Sequence, residues 1–375
     1  MFSVKKTSGK ARRGQLEVGH GVMETPFFMP IATRGAVKTL SSRDMKDLGA
    51  QILLSNTYHL QMRPGRELMR ELGGLHDFMK WDGPILTDSG GYQVFSLAKL
   101  NQTDEDGVSF QSHIDGRRIR LTPEGSMAMQ AAIGADIIMQ FDDVAAGSSS
   151  FERYEEAMER SLDWANRCKN SYDESQKLFG IVQGGTYEEL RERSAKGLMA
   201  IGFDGYAIGG LSVGEDRDLT YRTAASTADL LPEESPRYFM GGGMPEEIIY
   251  YVSVGIDMFD CVLPSRNARH GTLFTWPEDP AAAVKRAFEA AQKGAKPEEI
   301  AKHLYRKVLI TNASFQTDMQ PIDEFQDMED LTFYTRAYLH HLFRTNEILG
   351  MRLATMQNIR FYLRMMTELR AILSA

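Results

Sequence analysis

Leu178-Phe-Gly-Ile-Val-Gln-Gly-Gly185 is a short apolar run closed by an amide and two glycines. Thr186-Tyr-Glu-Glu-Leu-Arg191 behind it opens an amphipathic helical pattern, and Gly205-Tyr-Ala-Ile-Gly-Gly-Leu-Ser212 repeats the apolar run. Strand, helix and strand in that order are the mark of a parallel βαβ unit. The same alternation extends both ways. Upstream lie the runs Thr25–Thr33, Gln51–Thr57, Pro84–Gly91 and Asp136–Asp143, and downstream lie Arg237–Gly243 and Asp257–Pro264. Between them, Thr122-Pro-Glu-Gly125 and Ser150-Phe-Glu-Arg153 carry helix-start chemistry. Eight such units predict an α/β fold, a (β/α)₈ TIM barrel. An open doubly wound sheet would lead from its first strand into a G-x-G-x-x-G turn, and Pro30-Ile-Ala-Thr-Arg-Gly35 has no such form.

Composition fits one large barrel with additions. Of 375 residues 42% are hydrophobic and 25% charged, the make-up of a globular chain with a sizeable core. No apolar run approaches the ~18 residues of a membrane span. Met1–Lys10 has basic residues with no apolar stretch behind them, so the expectation is a cytoplasmic protein without membrane contact. A net charge of −8 offers no global attraction for nucleic acid, so any such site is a local patch. The two cysteines, Cys168 and Cys261, cannot furnish a three- or four-cysteine zinc site.

In barrels of this kind the reacting groups come from the C-terminal ends of the strands. Those ends carry Asp88, Asp142, Asp143, Gln183, Gly209, Gly210, Gly241 to Gly243 and Asp260. Asp and Gly also terminate strands for purely local reasons, but acids at three separate strand ends point to a polar pocket that can approach a flat ligand closely. The pattern breaks after the eighth run. The barrel with its catalytic rim is expected over 1–275, an exposed helical insertion over 276–306, a small subdomain over 307–347, and a C-terminal helix closing the barrel over 348–375. From Tyr334 to Ala375 there are six Arg, no Lys and two Glu, either a basic patch for a phosphate backbone or a solvated helix face.

Asp88-Ser-Gly-Gly-Tyr-Gln93, Leu178–Gly185, Gly205–Leu211, Asp257-Met-Phe-Asp-Cys-Val-Leu-Pro264 and Arg336-Ala-Tyr-Leu-His-His-Leu342 resemble, in order and spacing, the tRNA-guanine transglycosylase family. The similarity runs from Lys10 to the C-terminal helix, apart from the insertion. The resemblance implies a (β/α)₈ enzyme of queuosine tRNA modification. Such an enzyme exchanges the wobble guanine of GUN anticodons (tRNAs for aspartate, asparagine, histidine and tyrosine) for a 7-deazaguanine base, preQ1 or queuine. By motif match Asp260 is the nucleophile and Asp88 the general acid/base. Asp142, Gln183, Gly210 and Leu211 contact the base, Tyr92 and Met240 sandwich it, and Glu215 steadies a peptide after Leu211. Arg266 and Arg269 hold the anticodon loop. Independently, breaking a ribose N-glycosidic bond passes through a cationic sugar, which calls for one carboxylate to capture it and a second group to move a proton. A carboxylate also suits the paired N–H groups of a guanine edge.

Two departures from the family pattern stand out. Where the family places a Cys-x-Cys-x-x-Cys and His zinc site, the aligned positions are Gln326, Met328, Leu331 and Gln357, so no metal or other cofactor is expected. Bacterial members dimerise through that subdomain, which leaves a homodimer here open. Val144, in Asp142-Asp-Val144, stands where typical bacterial members have Cys and resembles the eukaryotic, queuine-using subunit. A noncatalytic tRNA-binding partner subunit, and a relative exchanging deazapurines in DNA, are the competing functions. The trio Asp88, Asp142 and Asp260 argues against the first, and Arg266 and Arg269 favour tRNA over the second.

Overall fold

The computed structural model describes residues 1–93, 101–112 and 114–375. Eight parallel strands form its centre: β1 (Phe27–Met29), β2 (Leu53–Ser55), β3 (Ile85–Thr87), β4 (Ile137–Met139), β5 (Lys177–Val182), β6 (Gly205–Ile208), β7 (Arg237–Phe239) and β8 (Met258–Asp260). They pair in the order β1-β8-β7-β6-β5-β4-β3-β2. Ile31, just past β1, bridges Leu54 of β2. There Leu54 N donates to Pro30 O at 3.0 Å and Ala32 N to Leu54 O at 2.7 Å, which joins the remaining seam. The architecture is the expected TIM barrel, and each strand falls on one of the eight apolar runs, starting no more than one residue before it.

Alternation along each strand sorts the side chains into two cores. Phe27, Met29, Leu54, Leu86, Ile137, Met139, Phe179, Ile181, Ala207, Tyr238 and Met258 fill the barrel. Phe28, Leu53, Ile85, Ile138, Leu178, Ile208, Phe239 and Phe259 face the helices. Helix starts follow the local chemistry: Thr122 Oγ1 accepts from Gly125 N at 3.1 Å ahead of Pro123–Ile133, and Ser150 caps Phe151–Lys169. The helix after β5 instead spans Glu188–Ile201 with Tyr187, not Thr186, at its N-cap, because the chain is still turning at Gly184 and Gly185.

Three sheet elements lie outside the eight apolar runs. An antiparallel sheet of Phe2–Ser8, Ala11–Val18 and Gly21–Thr25 sends Leu16 and Met23 into the barrel core and so caps its N-terminal end. A second, Asn101–Asp104, Gly107–Gln111 and Arg118–Leu121, intervenes between β3 and its helix. Thr272–Thr275 pairs with Arg306–Leu309 and brackets the inserted helices Pro280–Gln292 and Pro297–Leu304. These helices are not simply exposed: Val284, Ala287, Phe288, Ile300 and Leu304 are buried.

The last helix, Ile348–Ser374, packs on Leu263–Arg269 and on Thr272–Thr275. Asn358 locks it in place: its Oδ1 accepts from Phe274 N (2.9 Å), and its Nδ2 donates to Pro264 O (3.0 Å) and Thr272 O (2.9 Å). Its arginines are internal ties. Arg352 is bidentate on Asp44 (2.7 and 2.8 Å), Arg360 and Arg364 hold Asp327, and Arg370 donates to Pro26 O at 2.9 Å. These four are therefore committed within the chain and do not make a free phosphate-binding patch. Asn358→Ala strands three buried backbone groups, and a loss of about 2 to 4 kcal/mol in unfolding free energy is expected from urea denaturation.

Candidate active site

The strand ends on one face of the barrel open into a cavity of about 590 Å³, lined among others by Asp88, Asp142 and Asp260. Each carboxyl is buried and differently held. Asp88 follows β3, and its Oδ1 accepts from Thr57 N (2.8 Å) while its Oδ2 accepts from Gln93 Nε2 (2.8 Å) and Asn56 Nδ2. Burial, with a smaller contribution from the charge of Asp260, pushes its pKa up to about 6 against those donors. Asp142 lies three residues past β4. Its Oδ1 accepts from Ser89 Oγ (3.0 Å) and its Oδ2 from Gln183 Nε2 (2.7 Å), and burial again pushes its pKa up to about 6. Asp260 ends β8, and both of its donors, Tyr238 Oη (2.6 Å) and Gly241 N (2.7 Å), reach the same oxygen, Oδ1. Burial raises its pKa as well.

Tyr92, Met240, Val144, Gly210 and Leu211 also line the cavity, as do Arg266 and Arg269 on the helix that follows β8. Gly210 has φ +64, and a Cβ there would collide with Gln183 Oε1, so only glycine fits this turn. Two expected residues sit outside the cavity wall. Gln183 lies beneath Gly210 with its amide committed to Asp142, and Glu215 lines a smaller cavity of about 270 Å³ behind the 211–215 turn. Glu215 accepts from Ser212 N, from Val213 N (2.9 Å) and from Thr220 Oγ1 (2.8 Å). The Leu211–Ser212 peptide therefore aims its N–H at Glu215 and its carbonyl the other way. Asp143 turns away from the cavity onto Arg153 (2.7 and 3.0 Å) and Arg160 (2.7 Å).

Asn56, Ser89, Gln93 and Tyr238 hold these carboxyls and were not singled out from sequence. Asn56 and Ser89 do sit just past β2 and β3, where the strand-end rule looks. Tyr238 is an inward position of β7 by alternation alone.

A family model described as "Queuine tRNA-ribosyltransferase" matches residues 6–375. A protein of that name from Idiomarina loihiensis is 49% identical over 375 residues, covering 100% of this chain and 93% of the relative. Another from Pelotomaculum thermopropionicum is 48% identical over 371 residues, 99% and 93% of the two chains. The chain belongs to the queuine tRNA-ribosyltransferase family. It is an enzyme of the pentosyltransferase class.

The positions that match the family's zinc ligands do not fit a metal in this transferase. Leu331 is buried and apolar, and the buried Gln326 has neither amide atom bonded among the described residues. Gln357 Nε2 donates to Phe274 O (2.7 Å) and Asp323 Oδ2 (2.9 Å), while Asp323 also accepts from Trp276 N (3.1 Å) and Phe325 N (3.2 Å). The subdomain is thus tied to the last helix by a carboxylate–amide bridge where thiolates would be needed. Among the described residues, His20, His76 and Asp136 are the group close enough to share an ion. The two rings stack at 3.7 Å and 17°, so their in-plane lone pairs lie in near-parallel planes that a single ion cannot satisfy. His20 Nδ1 meets Asp136 Oδ1 at 2.8 Å instead, clasping the N-terminal hairpin to the foot of β4.

The buried carboxyls set a pH signature. A pKa raised from about 4 in the unfolded chain to about 6 makes the contribution to stability full below pH 4 and lost as pH rises through 6. Asp142→Asn is therefore expected to raise the melting temperature more at pH 7.5 than at pH 4.5. The difference corresponds to about 1 to 2 kcal/mol, read by calorimetry at both pH values.

Proposed function

We propose that this enzyme is a tRNA-guanine transglycosylase, exchanging the wobble guanine of GUN anticodons for preQ1 or queuine by double displacement. The observation that carries the reading is the set of three carboxyls around one cavity, each with a different hydrogen-bond environment. Two groups with separate roles are what glycosidic exchange with retention requires.

In the first half-reaction Asp260 Oδ2, the oxygen with no hydrogen bond among the described residues, forms a bond to the ribose anomeric carbon as the bond to guanine breaks. The electron pair departs on the base, which takes a proton from the Asp88 carboxyl. In the second, the Asp88 carboxylate takes the N–H proton of the incoming base, whose nitrogen attacks the anomeric carbon and returns Asp260 to the carboxylate. A pKa near 6 suits a group that must give and then retake a proton. Asp142 accepts the paired N–H groups of the guanine edge, with Gln183 holding its carboxyl and the Gly210–Leu211 backbone meeting the base's carbonyl and substituent. Tyr92 and Met240 cover its faces. Glu215 steadies the Leu211–Ser212 peptide, and Val144 shapes the substituent end of the pocket. Arg266 and Arg269 hold the unstacked anticodon loop at the mouth, so RNA affinity is local to this rim in an acidic protein.

The subdomain over 307–347 is proposed to fold without zinc through the Asp323–Gln357 bridge. Metal analysis of chelator-free protein is expected to find well under about half an equivalent of zinc, whereas a tightly held full equivalent would refute this.

Incubating a GUN tRNA with the enzyme and equal preQ1 and queuine, then analysing the anticodon nucleoside by mass spectrometry, tests the activity. One deazaguanine product is expected, its identity revealing the pocket's preference. Asp260→Asn is expected to abolish exchange while tRNA binding persists. Untouched guanine with the native protein would leave a binding subunit.

A further inference from the structure

The nucleophile's hydrogen bonds are lopsided. Tyr238 Oη at 2.6 Å and Gly241 N at 2.7 Å both donate to Oδ1 of Asp260, and Oδ2 has no such donor among the described residues. Tyr238 is itself fixed: it is 1% exposed, inward-facing in β7 and packed in the barrel core, and its register partner in β8 is Met258, two residues before Asp260. Its hydroxyl has no other acceptor among the described residues.

A phenol at that distance holds the carboxylate in one rotamer with Oδ2 left to the cavity. It also discriminates between the two states of Asp260. A donor bonds a carboxylate about twice as strongly as it bonds a neutral carbonyl. When Oδ2 becomes an ester oxygen, Oδ1 becomes its neutral carbonyl and the bond from Tyr238 weakens. When the incoming base displaces the ester, the electron pair of the C–O bond returns to Asp260 and the bond strengthens again.

We infer that Tyr238 is a positioning residue that keeps the glycosyl–Asp260 ester from becoming a resting state, by favouring the carboxylate at Oδ1 in the second half-reaction. The inference rests on Asp260 being the nucleophile. A residue of merely structural importance would lower attack and release together. Tyr238 instead sets the balance between them: without its hydroxyl the ester gains on the free carboxylate, so adduct builds up while turnover slows.

The experiment compares the full-length native enzyme, Tyr238→Phe and Asp260→Asn with GUN tRNA, with and without preQ1. The RNA–protein adduct is read on a denaturing gel, exchange by labelled base, and folding by thermal melting. Tyr238→Phe is expected to hold roughly five- to tenfold more adduct relative to free enzyme, the ratio given by losing the difference between a charged and a neutral bond. Exchange should fall by a similar factor, with KM for the base little changed. Replacing Tyr238 by 3-fluorotyrosine, a stronger donor of nearly the same shape, is expected to move the adduct the opposite way, and it serves as the test if the phenylalanine variant does not fold. Unchanged adduct in both variants, or adduct and exchange falling together in a folded protein, overturns the inference. Adduct formed by Asp260→Asn would instead overturn the nucleophile assignment beneath it.

Discussion

Three carboxyl groups held out of water around one cavity oppose one another, and the rest of the rim is arranged around that conflict. Each charge is costly to bury, and Asp88 is disfavoured as a charge by Asp260, as Asp142 is by Asp143 and Asp88. The fold answers with different donors: an asparagine, a glutamine and a backbone N–H for Asp88; a serine and a glutamine for Asp142; a phenol and a backbone N–H for Asp260. No lysine or arginine is hydrogen-bonded or ion-paired to any of the three among the described residues. A paired cation would pin a carboxylate in one protonation state, whereas neutral donors leave it free to change. The neighbouring Asp143 shows the contrast, since it is fastened by two arginines and stands outside the cavity.

Much of this was legible because strand ends are chemically distinctive. Asp88, Asp142 and Asp260 all fall where an apolar run meets glycine or acid, and the barrel places such positions on one rim whatever the sequence between them. The partners that tune them were harder to see. Tyr238 is one aromatic among buried residues until its hydroxyl is located in space, and the bond from Gln183 to Asp142 joins residues 41 positions apart. Glu215, expected from the motif match to steady a peptide after Leu211, accepts from Ser212 N and Val213 N.

The fold shows the same division. Parallel strands buried on both faces announce themselves as unbroken apolar runs. The sheets of Phe2–Thr25 and Asn101–Leu121 are antiparallel and carry lysines, arginines and threonines on their outer faces, so their apolar content is too thin to stand out. The inserted helices look exposed by composition because alanine is ambiguous: Ala283, Ala287 and Ala291 line a buried face at helical spacing. Charge counting leaves a phosphate patch and a solvated face both open at the last helix, where arginine after arginine is consumed by Asp44, Asp327 and backbone carbonyls of distant segments.

The far ends of the chain meet on the outside of β1. Phe28 packs against the ring of Tyr362 with centroids 4.8 Å apart, Arg370 holds the carbonyl of Pro26, and Lys6 reaches the carbonyl of Ser374. The first strand of the barrel is thus covered by a helix from far along the chain, Ile348–Ser374. Without Ile348–Ser374 the ring of Phe28 loses Tyr362 and the carbonyl of Pro26 loses Arg370, which makes this helix as much a part of the barrel as the strands themselves.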